Sequence, residues 1–232
     1  MSRKRQVLLG TVVLASAAAV VPAGSTAWAG AAPADPSLAA IQAKAAAAVS
    51  KRVSALNAAV SKVEADSRIG PGAAALTAYL QKDVPALQQL GQKIAADPTA
   101  AAARADARTI LTDYRVRVLV LPAARLAAIA DRIGNTTVAR LNTAATKAAT
   151  YENAGNQATL APLLSDLNGL IGSITSSTSG IASTALGYTP AQWNADHSVL
   201  AASKSAVRAA RSDIQKARSD LRQIRAAVRA SH

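Results

Sequence analysis

Lys204, Arg208, Arg211, Arg218, Arg222, Arg225 and Arg229 succeed one another at steps of three, four or seven residues. On a helix of 3.6 residues per turn those steps put every side chain on one face. Only Gln215 interrupts the series, and Asp213 and Asp220 are the only acids beside it. A row of cationic donors suits anionic oxygens, so the chemistry available to it is anion binding. The same row has two plainer uses: a solvated outer face, or partners for acids on neighbouring helices. From His197 onward eight bases meet two acids, an excess of six on a short piece of the chain.

Nothing else in the sequence is arranged for chemistry. There is no cysteine, which excludes disulfides, thiolate catalysis and cysteine-based metal sites. The two histidines are His197 and His232. His197 follows Asp196, but adjacent helical residues do not face each other, so the two make no acid–base pair. Asp106, Asp113, Asp131 and Asp166 are scattered, and no phosphate-binding glycine loop, H-E-x-x-H or nucleophile elbow occurs. The expectation is a protein that is not an enzyme and holds no metal or cofactor.

The start of the chain reads as an address. Arg3, Lys4 and Arg5 precede an apolar run from Val7 to Val21, and Ala27-Trp28-Ala29 forms a small-residue exit. That predicts a signal peptide over 1–29, cleaved after Ala29 and leading to secretion. An uncleaved anchor is the alternative reading of the apolar run. Residues 30–36 read as a flexible lead, and 37–232 as a single helical-bundle domain with no further membrane span. The whole chain carries a formal +13; without the three leader bases it is +10, which bears on attraction to anions rather than on fold.

The body must position the basic row, and it is written for helices. Sixty of the 232 residues are alanine, aromatics make up 3%, and phenylalanine is absent. Leu38, Ile41, Ala45, Val49, Val53, Leu56, Val60 and Val63 mark one helical stripe, ended by the breaker Ile69–Gly72. Next comes a helix with Leu76, Leu80, Leu87, Leu90 and Ile94, bent or restarted at Pro85 with Asp83 as cap. Asp97 then reads as an N-cap with Pro98 at the first helical position.

Residues 112–126, TDYRVRVLVLPAARL, alternate like a strand, with Tyr114, Val116, Val118 and Val120 on one side. A strand would need a partner for its backbone groups, and no second strand-like run exists beyond the leader. As a helix, bent at Pro122, the segment places Leu111, Tyr114, Val118, Leu126, Ile129 and Ile133 on one stripe and pairs Asp113 with Arg117. Gly134–Thr137 reads as an interruption of the helix, and Trp193 as a plug on the bundle end. The last helix has heptad spacing: Leu200, Val207, Ile214, Leu221 and Val228, with Ser203, Ala210, Ala217 and Ile224 at the other seam position. These elements predict an all-α, elongated antiparallel bundle of about five to six long helices with coiled-coil-like packing and a kink at Pro122.

The export leader, the alanine-rich helical body and the stretch Thr112–Leu126 together resemble a group of secreted, alanine-rich helical proteins of high-GC actinobacteria. That resemblance implies an extracellular helical protein and brings no catalytic residue with it. The function expected is therefore a binding or structural role at the cell envelope, with anionic cell-wall polymers or acidic lipids as partners and no specific nucleic acid. The alternative is a membrane-active or secreted effector protein whose amphipathic helices act on lipid.

Overall fold

A computed structural model describes residues 36–231. The expected signal peptide, and residues 30–35 after it, lie outside the described residues. From Pro36 onward the chain forms one compact unit. The described residues are 83% helical with no strand among them. The all-α bundle expected from the sequence is what the chain forms.

The first half packs around α1 (Leu38–Glu64), whose Ser37 cap accepts a hydrogen bond from the Ala40 amide at 3.3 Å. Its buried seam, from Ile41 to Val63, meets α2 (Gly72–Gln81), α3 (Val84–Ala96) and α4 (Ala100–Thr112). Leu80, Leu87, Ile94 and Ile110 close that core. Two caps differ from expectation. Thr99, with extended backbone, caps α4 by accepting from the Ala102 amide, while Asp97 ends α3. Pro98 therefore precedes the cap instead of following it. Asp83 does stand before α3, but with near-helical backbone it offers only its carbonyl, to Leu87.

The valine-rich stretch is helical. It opens a continuous run made of a π turn at Val116–Val120, α5 (Leu121–Arg132), a second π turn at Ile133–Val138 and α6 (Ala139–Ala149). Pro122 lacks an amide proton, and its ring crowds the carbonyl four residues back. The widened turn just ahead of it, where the Leu121 amide reaches the Val116 carbonyl, accommodates that demand.

The helix break comes earlier, between Thr112 and Val116, where Arg115 holds a left-handed φ of 42°. Two expectations fail there. Asp113 and Arg117 lie on opposite sides of the break, and Asp113 instead accepts from the Thr112 hydroxyl. The continuous stripe is also reset in phase: Leu111 and Val118 are 55% and 43% exposed, while Val116, Leu119 and Val120 are buried. Asn194 secures the break, accepting from Arg115 Nε at 2.6 Å and donating to the Thr112 carbonyl at 3.0 Å.

Gly134–Thr137 does not interrupt the long run; it widens it. The second π turn brings Asn135 to the Ile69 carbonyl and Thr136 to the Arg68 carbonyl. Those bonds hold the turn at Gly70, whose φ of 68° explains the glycine.

The second half is α7 (Gln157–Thr178), α8 (Ile181–Gly187), α9 (Pro190–Ala195) and α10 (Ala201–Ala230). α5 sits among α2, α8 and α10, which is why Ala123, Ala124, Ala127, Ala128 and Ala130 are all buried: small side chains let neighbours approach on several sides. Thr189 and Gln192 form a capping box at the start of α9. Trp193 is half-buried against the Ile181–Leu200 cluster, its ring meeting His197 edge-on at 5.5 Å.

Candidate functional site

α10 buries the seam its heptads predict. Ser203, Val207, Ala210, Ile214, Ala217 and Ile224 are enclosed, largely against Leu160, Leu164, Leu167, Ile171 and Ile174 of α7. Ser173 of α7 donates to Asp213 at 2.8 Å near one end, and Asn156 donates to Ser231 at 3.1 Å at the other, so α7 and α10 are antiparallel. Asn156 is buried, and it also donates to the Tyr151 carbonyl and accepts from the Asn153 amide.

That packing sorts the charges of α10 onto two flanks. Asp213 and Asp220 border the α7 side, together with Ala206 and Ala227. The hydrogen bonds from Ser173 and Lys216 hold the Asp213 carboxyl below the usual range. On the other flank stand Lys204, Arg211, Arg218 and Arg225, one per heptad, with Arg208, Arg222 and Arg229 beside them. All seven are exposed, and none has an ion pair or side-chain hydrogen bond within the described chain. The row is therefore brought together as the sequence predicted, and the acids of neighbouring helices do not neutralise it.

This flank faces the long run Val116–Ala149 across three grooves. The largest, 590 Å³, lies between Arg117 and Arg125 on one side and Lys204, Arg208 and Arg211 on the other. The next, 310 Å³, has Arg132 and Thr137 opposite Arg211, Gln215 and Arg218. The third, also 310 Å³, sets Lys147 and Tyr151 against Arg225 and Arg229. Among the described residues no acid lines any of them. The numbering rises together on both walls, so the two helices run parallel and the grooves follow one another along them. Arg132 alone among these bases has a carboxylate partner, Asp66, at 3.0 Å.

Sequence reasoning missed the second wall. Its signal is present: Arg117, Arg125, Arg132 and Lys147, which line the grooves, fall in a series with Arg140, which does not, at steps of eight, seven, eight and seven. On an unbroken α-helix a step of eight overshoots the face by about 80°. Here each eight-residue step crosses a π turn, which takes up the additional residue and restores the face.

On α1, burial and then the Arg117 charge lower the pKa of Arg52. Among the described residues no group of three potential metal ligands occurs, and no helix is long and apolar enough to cross a membrane. Comparison with protein-family models, curated proteins and solved structures finds no match to this chain.

Proposed function

We propose that this is an exported, non-enzymatic binding protein that attaches to anionic polymers or acidic surfaces of the cell envelope through the basic face of α10. One observation carries the reading: seven bases stand exposed and unpaired on the outer flank of a helix whose apolar side is already used by α7. Charges kept only for solubility need no alignment, and charges kept for the bundle would have partners. The leader, with its Ala27-Trp28-Ala29 exit, supports export to where wall polymers and lipid head groups are the available anions. The membrane-active alternative has less behind it, because the apolar face that would enter lipid is occupied.

The test is retention on an anionic matrix at low salt. Arg211→Glu/Arg218→Glu/Arg225→Glu should elute far earlier than the natural protein, with helix content unchanged by circular dichroism. Equal retention of the two folded proteins would leave the row a solvated face and end the proposal.

A further inference from the structure

The basic row of α10 is one wall of a trough, and the long helix supplies the other. We propose that the trough binds a single linear phosphodiester polymer lacking bases, a polyol-phosphate chain of the kind carried by cell walls, laid lengthwise between the two helices. This rests on the anion-binding reading above and adds to it the second wall and the class of ligand.

Several observations favour a chain over other anions. From Lys204 to Arg229 the charged length is about 38 Å at 1.5 Å per residue, far more than a lone phosphate requires. Among the described residues, bases stand on both sides of the successive grooves and no acid lines them, so an anion between the walls meets donors from two directions, with Arg132 of the middle groove shared with Asp66. A flat lipid surface would reach the rims without filling the grooves, and it would gain from exposed apolar side chains to insert. Among the described residues the exposed large apolar side chains are Leu111, Val118 and Tyr151, of which only Tyr151 borders the trough.

Single-stranded nucleic acid is disfavoured for a related reason. Proteins that hold it stack its bases on successive aromatic rings. The trough has Tyr151 at one end and no other ring, while Trp193 is packed against His197 elsewhere. A polymer of phosphates joined by small polyols uses the donors and leaves no bases unstacked.

The experiment measures binding of fluorescently labelled poly(glycerol phosphate) at low salt to the natural protein and two variants. One variant changes the long helix, Arg117→Glu/Arg125→Glu/Lys147→Glu; the other changes α10, Arg211→Glu/Arg218→Glu/Arg225→Glu. Each should weaken binding at least tenfold, and a dimer or trimer of glycerol phosphate should bind far more weakly than a chain long enough to span the trough. The corresponding Gln triplets replace the Glu sets if charge reversal lowers helix content. Loss of binding in the α10 variant alone would overturn the trough while leaving the single-face reading intact. No loss in either variant would overturn both. Tighter binding to oligothymidylate, or to vesicles of phosphatidylglycerol, than to the polyol-phosphate chain would overturn the choice of ligand.

Discussion

α1 and α10 are the two longest uninterrupted α-helices among the described elements, at 27 and 30 residues, and they bury similar seams. Ile41, Ala45, Val49, Leu56 and Val60 do in one what Val207, Ala210, Ile214, Ala217 and Ile224 do in the other. Their outward faces are different. α1 turns alanine, serine and asparagine to solvent, with Lys44, Lys51 and Lys62 spread among them. α10 turns out a row of arginines facing a second row. The first half also uses its charges internally: Asp66 holds Arg68 at 2.8 Å and Arg132 at 3.0 Å, and Lys93 meets Asp106 at 3.0 Å. Shared seams make a shared architecture, so the candidate function has to be sought in what the two faces do not share.

The largest effect should come from the seams, where the halves are alike. Leu56→Ala in α1 and Leu167→Ala in α7 each empty a fully buried site and should cost about 2–5 kcal/mol by denaturant unfolding. Near-neutral behaviour of either would mean that its half is loosely packed. Next comes Asn156, which fastens the α6–α7 turn to the end of α10. Asn156→Ala leaves its buried partners unpaired and should cost about 1–3 kcal/mol, accompanied by faster amide exchange at the C-terminal end of α10.

Acid should separate two carboxylates. Asp213 is depressed below its usual 3.8, so its stabilisation is present above that pH and is lost as pH falls through its folded value. Asp83 is raised by burial, so its charge is a penalty above its folded pKa that protonation removes as pH falls. At pH 7 Asp213→Asn should therefore be less stable than the natural protein and Asp83→Asn more stable. Both differences should fade in acid, as read from unfolding midpoints against pH. The smallest effect is expected of Lys44→Glu/Lys51→Glu on α1, which should change polyanion binding by less than about twofold because screening confines each exposed charge to a range of about 8–10 Å. A loss equal to that of an α10 variant would erase the contrast between the faces.

Much of this was legible in the sequence. The α10 seam could be read because heptads survive unchanged on a straight helix, and the helical state of Val116–Val120 followed from the lack of any strand partner. What could not be read were positions at which the helix count changes. Local spacing carried Leu111 and Val118 onto the core stripe, but the left-handed Arg115 restarts the phase between them. The same blindness hid the second wall, since a step of eight looks like a missed face until a π turn is known to lie inside it. Asp97 and Pro98 have the commoner capping pattern, and only backbone geometry shows that Thr99 is the cap.

The most direct test of the central claim is the salt dependence of binding to poly(glycerol phosphate). If α10 binds through its charges, the logarithm of affinity must fall steeply and linearly with the logarithm of salt concentration. Replacing three contacting bases, in Arg211→Glu/Arg218→Glu/Arg225→Glu, should then lower that slope by about 2, at roughly 0.7 per phosphate on a single-stranded chain. An affinity indifferent to salt, or a slope the same in both folded proteins, would contradict the account.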